Sequence, residues 1–120
     1  MLNFNSIFLD GFHNTDGVKV FINNLKGKNN FLICSFLINK NYKNILKLLE
    51  PYFKKIFVTP MEEENSIQVV NVNKTNKINT SSGLLKSIDD LNRVATSNST
   101  IYFGGSLYFI GEVLKFNKKK

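Results

Sequence analysis

The residues best suited to chemistry lie in short polar segments that directly follow apolar runs. Asp10 and the single histidine, His13, both follow the apolar run 6–9, so both are expected to face one crevice. The segment 104–106, Gly-Gly-Ser, follows another apolar run and precedes a helical pattern, where it can expose backbone N–H groups to an anion. A lone imidazole can equally cap a helix, and an aspartate at a strand end can equally serve a turn. Residue types alone therefore leave binding and structural roles open here.

Neither of two common nucleotide-binding motifs is present. A phosphate loop needs the pattern G-x-x-x-x-G-K-[ST], but Gly11 and Gly17 are spaced one residue too wide, and Val18 separates Gly17 from Lys19. No G-x-G-x-x-G fingerprint occurs either.

Metal binding is not predicted. The single cysteine, Cys34, lies inside the apolar run 31–38, which excludes an intrachain disulfide and a cysteine metal cluster and favours a small buried side chain. The acidic run 62–64 is interpreted as a solvated turn rather than a pair of catalytic carboxylates.

Short apolar runs alternate with segments of helical periodicity, as in a mostly parallel sheet covered by helices. One such domain is expected to occupy residues 1–120. Strands are predicted at 6–9, 31–38, 56–59, 67–72 and 100–103, and the polar stretch 73–82 is predicted to be a loop.

Four helices are predicted between and after these strands. Asn14 should cap the first helix and Gly27 should end it. Pro51 must kink the second or restart it as a separate turn, within an apolar stripe that extends to residue 56. Ser87 and Asp90 resemble a capping arrangement for the third. The fourth follows its predicted apolar stripe, Leu107, Ile110, Val113 and Leu114.

The formal charge of +7 raises the question of a nucleic-acid partner. Arg93 is the single arginine among 16 basic residues, whereas base-edge recognition depends on arginine, so no nucleic-acid partner is expected. Lysines gathered on one face would instead favour a nucleic-acid-binding module. No apolar run is long enough to span a bilayer, and no membrane partner and a cytoplasmic location are expected.

Two long segments, one near each end of the chain, resemble a known family. Residues 9–17, LDGFHNTDG, resemble the sequence LDGAHNPDG of folylpolyglutamate and dihydrofolate synthases, and residues 105–113, GSLYFIGEV, are similar to that family's GSLYLVGEV. Between them, Lys40 is similar to the lysine of the family's ADKD turn, and residues 57–60 match its third-strand ending. The resemblance covers nearly the whole chain.

The resemblance implies a Rossmann-like three-layer α/β fold, with a sheet of about five or six strands, as in the C-terminal domain of the Mur ligase superfamily. It implies that ATP activates a dihydropteroate or folate carboxylate as an acyl phosphate, which the L-glutamate amine attacks. ATP and magnesium would be bound mainly by an N-terminal ATPase domain, the expected partner, which this chain lacks. A start at Met1, just before the first strand, fits a domain cut from a larger enzyme. Alone the chain is expected to be a monomer and inactive.

Roles for individual residues follow from the same resemblance. Asp10 would bind the ribose region of the nucleotide, and His13 and Asn14 would line the nucleotide and reaction site, with His13 as the catalytic residue. Ser106 and Lys40 would lie near the incoming glutamate.

The chain departs from the family pattern at five positions. Phe12 replaces alanine and Thr15 replaces proline, Asn39 and Asn41 stand where acidic residues are usual, and Gly104 takes the place of threonine. These departures leave open a stand-alone α/β domain that binds a nucleotide or a partner without catalysis.

Overall fold

The computed structural model describes residues 6–12 and 14–118, in which strands and helices alternate. The strands are β1 (Ser6–Gly11), β2 (Asn30–Ser35), β3 (Lys55–Val58), β4 (Ile78–Thr80) and β5 (Thr100–Gly105). The α-helices are α1 (Thr15–Asn23), α2 (Tyr42–Leu49), α3 (Leu84–Val94) and α4 (Leu107–Lys118). Two short 3₁₀ turns occupy Glu50–Tyr52 and Val69–Asn71.

The five strands form one sheet in the order β1-β5-β2-β3-β4, and every pairing is parallel. The last strand in sequence, β5, lies between β1 and β2, and every residue of β2 and β5 is buried. Such strands are covered on both faces, which explains their continuous apolar runs. The predicted mostly parallel sheet is confirmed.

Helices cover both faces of the sheet. Leu32 and Cys34 of β2 belong to the core under α1 and α2, and Phe31 and Ile33 of the same strand belong to the core under α3 and α4. This alternation follows from the two-residue period of a strand. The three-layer α/β architecture predicted from the sequence is therefore confirmed.

The start of α1 was predicted correctly and its end was not. Asn14 has an extended backbone, and its side-chain oxygen accepts a 2.7 Å hydrogen bond from the Gly17 N–H. The helix ends at Asn23, before the predicted stop at Gly27. Gly27 instead lies where a Cβ would collide with the Thr100 side chain, so its small size serves packing in the loop before β2.

The region around Pro51 follows the second predicted alternative. Helix α2 ends at Leu49, and Pro51 lies in a separate 3₁₀ turn. Ile56, which belonged both to the helical stripe and to the predicted strand 56–59, lies in β3 with its side chain buried, as the strand prediction required. β2 is also shorter than predicted, because after Ser35 the chain turns away and Leu37 forms an isolated bridge to Ser66.

The prediction of the fourth strand was wrong. Residues 67–72 contain a 3₁₀ turn, and Val70 is 86% exposed. Ile67 and Val72 fill the core from a loop, and their apolar side chains alone do not distinguish such a loop from a strand. The actual strand, β4, lies in the predicted loop; it has three residues, of which Ile78 alone is apolar.

The predicted cap of α3 was also wrong. The helix begins at Leu84, and Ser87 lies inside it, where its Oγ donates a 3.0 Å hydrogen bond to the Gly83 carbonyl. Asp90 pairs with Lys86 at 2.6 Å instead of capping the helix. The start is earlier because the buried stripe is longer than was predicted. Its main apolar members are Leu84, Ile88 and Leu91.

Helix α4 forms as predicted, and Ile110 and Val113 of its predicted stripe pack in the core, but Leu107 and Leu114 are exposed. Phe109 and Val113 are buried, whereas Leu107 is 71% exposed. Successive residues of a helix are rotated by about 100°, so Leu107 points roughly away from Phe109. An apolar residue in the first turn therefore remains on the surface.

Cys34 is fully buried in the core, as predicted, and burial raises the pKa of its thiol far above the ordinary value. Since the thiolate is the reactive form, Cys34 should resist alkylation in the folded protein. We expect a maleimide reagent to label native protein at least about a hundredfold more slowly than protein in denaturant. Rapid labelling without denaturant would contradict the buried position.

Candidate functional site

The two segments that resemble the ligase family meet at one edge of the sheet. β1 and β5 pair in parallel, with Asp10 opposite Gly104 and Gly11 opposite Gly105. Just beyond them, the Phe12 N–H donates a 2.9 Å hydrogen bond to the Gly105 carbonyl. The start of one segment therefore lies beside the start of the other, at the carboxyl edge of the sheet.

The end of β2 closes the other side of this junction. The Ser106 N–H donates a 3.0 Å hydrogen bond to the Ser35 carbonyl. Gly105 has a φ of +108°, and a Cβ there would collide with the Ser35 carbonyl oxygen. Only glycine satisfies both conditions. The chain leaves β1 and β5 toward helices on opposite faces, and such a divergence opens a crevice at the carboxyl ends of parallel strands.

Ser106 caps helix α4 at this crevice. Its Oγ accepts a 3.1 Å hydrogen bond from the Tyr108 N–H, and its carbonyl accepts one of 3.1 Å from the Ile110 N–H. A hydroxyl that accepts in this way can still donate its own proton. The cap therefore leaves Ser106 able to donate a hydrogen bond to an oxygen of a ligand.

A small cavity of about 160 Å³ lies at the crevice and brings two predicted site residues together, Lys40 and Ser106. Lys40 is half-buried, and no hydrogen bond or ion pair of its side chain occurs within the described residues. The other lining residues are predominantly apolar: Phe12, Phe36, Leu37, Leu107 and Tyr108. The cavity therefore offers one cation and one hydroxyl within apolar walls.

The other predicted site residues do not line this cavity. Asp10 is exposed at the end of β1, and partial desolvation raises the pKa of its carboxyl. The side-chain oxygen of Asn14 is used to cap α1. His13 lies outside the described residues. The structure thus groups Lys40 with Ser106, and leaves Asp10 and Asn14 nearer the β1 side of the same edge.

Phe12 and Gly104 are two departures from the family pattern that compensate each other. The Phe12 side chain turns into the core, 2% exposed, and its ring lies 4.8 Å from that of Phe21 between centroids. A Cβ on Gly104 would collide with the Phe12 ring. The ring therefore occupies the space that the family's threonine would require. The larger residue at position 12 is matched by the smaller residue at position 104.

Two residues beside the crevice were not predicted to belong to it. Leu107 and Tyr108 line the cavity from the first turn of α4, and Tyr108 is 60% exposed. The sequence signal for both is Ser106, because the residues that directly follow a helix cap form the first turn and lie beside the cap.

Residues 6–12 and 14–118 contain no group of three or more His, Cys, Asp and Glu placed to hold a metal ion. Glu62 and Glu64 of the acidic run are exposed, as predicted for a solvated turn. None of the helices in the described part of the chain combines the length and apolarity needed to cross a bilayer.

Comparisons with known proteins give a consistent fold. No protein-family model matches the chain, and no curated protein matches its sequence. Among solved structures, Mycobacterium tuberculosis folylpolyglutamate synthase complexed with ADP is similar, with a TM-score of 0.79 and 19% identity over 92% of this chain and 29% of that one. A ligand-free bifunctional folylpolyglutamate synthase/dihydrofolate synthase from Yersinia pestis has a TM-score of 0.79 and 16% identity, with the same coverage.

Helicobacter pylori folylpolyglutamate synthetase is also similar, with a TM-score of 0.66 and 20% identity over 100% of this chain and 31% of that one. At these identities the likeness establishes the fold. The chain thus has the fold of one part of folylpolyglutamate synthases, as its sequence resemblance implied, and spans 29% of the length of the first structures it matches.

The contact between Phe12 and Gly104 makes a testable prediction. Gly104→Ala should lower the free energy of unfolding by about 1–3 kcal/mol, because the added methyl group overpacks the core. In a Phe12→Ala background the same change should cost much less, since the ring is gone. Urea denaturation of both single variants and the double variant measures this coupling.

Gly111→Ala is a matched control, because no atom lies within 4 Å of its added Cβ. It should be neutral or raise stability by up to about 1 kcal/mol, as expected for alanine in a helix. An equal cost of Gly104→Ala with and without the Phe12 ring would contradict the compensation.

The raised pKa of Asp10 predicts a pH dependence of stability. The folded state binds the Asp10 proton more tightly than the unfolded state does. The contribution of Asp10 to the free energy of unfolding is therefore most favourable at low pH and is lost as pH rises through the folded pKa. Asp10→Asn should match wild type near pH 3 and become slightly more stable from about pH 4 upward. Thermal melting across this range measures the effect, and a difference independent of pH would contradict it.

Proposed function

We propose that this chain is the C-terminal closing domain of an ATP-dependent ligase that adds L-glutamate to dihydropteroate or folate. The observation that carries the proposal is the meeting of segments 9–17 and 105–113 at one crevice, joined by the Phe12–Gly105 hydrogen bond. The two segments resemble the same family, and the sheet makes them neighbours. Fold similarity to a folylpolyglutamate synthase complexed with ADP supports the same conclusion.

The reaction has two steps. A carboxylate oxygen of the folate or pteroate attacks the γ-phosphorus of ATP, which releases ADP and forms an acyl phosphate. The amine of glutamate then attacks the acyl carbon, phosphate leaves, and the nitrogen loses a proton to give the amide. Since carboxylates and phosphates carry most of the charge, the protein must mainly bind anions and orient the amine.

The cavity offers groups suited to one carboxylate of glutamate. Lys40 supplies a cation and the Ser106 hydroxyl supplies a donor, and both line the 160 Å³ cavity. Charge-assisted hydrogen bonds of this kind are among the stronger polar contacts in proteins. We assign Lys40 and Ser106 to glutamate binding on this basis.

Asp10 suits the nucleotide. Its carboxylate is exposed at the crevice and its pKa is raised, so hydrogen bonds donated by ribose hydroxyls would relieve the cost of its charge. Asn14 retains side-chain N–H donors beside the start of α1. His13 is proposed as the catalytic residue from the family resemblance.

The phosphate loop and the magnesium ligands are proposed to come from an N-terminal ATPase domain, with which this chain would close over the substrates. Among the described residues, no group of three or more His, Cys, Asp and Glu is placed to hold a metal ion, and the sequence contains no phosphate loop. The chain alone should therefore hydrolyse no ATP.

The proposal is tested in the polypeptide that carries this chain in its source genome. We expect the same reading frame to encode a G-x-x-x-x-G-K-[ST] loop, and the purified product to sustain multiple turnovers of ATP only with both glutamate and dihydropteroate or folate. Lys40→Met should raise the KM for glutamate about 10- to 100-fold, as expected for loss of a hydrogen bond to a charged group.

Two variants separate binding from folding. Ser106→Gly removes the hydroxyl while costing the helix cap only a few tenths of a kcal/mol, so a raised KM would report the ligand contact. Lys43→Met, in the exposed first turn of α2, is the charge-matched control and should leave KM unchanged. A frame without the loop, or turnover indifferent to glutamate, would instead favour a binding domain without catalysis.

A further inference from the structure

Lysines gather at the edge of the sheet opposite the candidate site. Parallel strands place all their amino ends together, and Lys28, Lys54, Lys55 and Lys77 lie at the starts of β2, β3 and β4, with Lys26 in the loop before β2. Backbone hydrogen bonds tie the segments together, from Lys54 N–H to the Asn30 carbonyl and from Ile56 N–H to the Lys77 carbonyl, both 2.8 Å. We call Lys26, Lys28, Lys54, Lys55 and Lys77 the basic edge.

Three of these lysines surround one shallow depression. Lys28, Lys54 and Lys77 line an open volume of about 390 Å³ with Pro51, Tyr52 and Phe53. Lys28 and Lys54 are exposed, and no hydrogen bond or ion pair of their side chains occurs within the described residues. A ligand in the depression would thus meet three cations at once.

No ion pair of these five lysines occurs within the described residues. Lys55 Nζ donates to the Asn76 carbonyl at 2.7 Å and Lys77 Nζ to the Glu50 carbonyl at 3.5 Å, and neither acceptor is a carboxylate. The nearby Glu50 carboxylate accepts a 2.6 Å hydrogen bond from Thr75. The acidic run 62–64 follows β3, and Asp10 lies near the end of β1, both at the opposite edge.

An aromatic ring lies among these lysines. Tyr52 is 49% exposed in the 3₁₀ turn and lines the same depression. Proteins that bind single strands combine cations that follow the phosphates with aromatic rings on which bases stack. An acidic peptide would use the cations but not the ring, and a duplex keeps its bases stacked inside.

We propose that the basic edge is a binding surface for single-stranded polynucleotide, with phosphates contacting Lys28, Lys54 and Lys77 and a base stacking on Tyr52. Binding is independent of base sequence, because the three lysines recognise phosphate as point charges. The surface lies at the edge of the sheet opposite the crevice, and it is independent of the proposed ligase function.

The test measures fluorescence anisotropy of a labelled deoxythymidine strand of about 20 nucleotides, bound by the 120-residue chain at roughly 50 to 200 mM salt. Lys28→Gln/Lys54→Gln/Lys77→Gln should weaken binding by more than about tenfold and reduce the slope of log affinity against log salt by about 2. Tyr52→Ala should weaken binding by about fivefold or more without changing that slope, whereas Tyr52→Phe should bind normally.

Lys19→Gln/Lys43→Gln/Lys115→Gln removes the same net charge from exposed positions outside the basic edge and should change affinity by less than about twofold. Thermal melting confirms that each variant is folded. The proposal is overturned if both triple variants lose affinity equally, if Tyr52→Ala binds as wild type does, or if wild type does not bind. A polyglutamate peptide of equal charge that competes as well as the strand would also overturn it, and would identify a surface for acidic proteins.

Discussion

The structure depends on the junction at which β5 ends between β1 and β2. Gly105 accepts the Phe12 N–H while its own Cα lies against the Ser35 carbonyl, at a backbone φ of +108°. This close approach lets Ser106 follow directly as the cap of α4. The position of the crevice, the direction of the last helix and the meeting of the two family-like segments all follow from a residue without a side chain.

Phe12 and Gly104 show why counting differences from a family pattern overstates divergence. Considered separately, a bulky ring beside the histidine and a missing threonine would both seem to damage the site. In the structure the two differences compensate each other, because the Phe12 ring turns into the core and fills the space that a side chain at position 104 would need. A fold can thus remain similar to folylpolyglutamate synthases at 19% identity while its packing is redistributed.

Strands covered on both faces of the sheet could be predicted from the sequence, whereas elements held by a few contacts could not. β2 and β5 were recognisable because every residue is buried, whereas β4 contributes one buried apolar residue and is visible only through its pairing with β3. The end motifs predicted a candidate site at the carboxyl edge of the sheet, where the two segments meet, and the roles of its residues stay a prediction. The inward turn of Phe12 could not be predicted, since it depends on Gly104 in the neighbouring strand, which is distant in sequence.

The two edges of this parallel sheet carry different groups of polar residues. All carboxyl ends, with their loops and helix starts, face one way, and here they carry Asp10, Ser106 and Lys40. All amino ends face the other way and carry the basic edge, whose lysines take no part in forming the crevice. The side chains between the two edges form one hydrophobic cluster on each face of the sheet, so packed core separates the edges. The proposed polynucleotide surface and the proposed glutamate site therefore lie at opposite ends of the strands and share no lining residue.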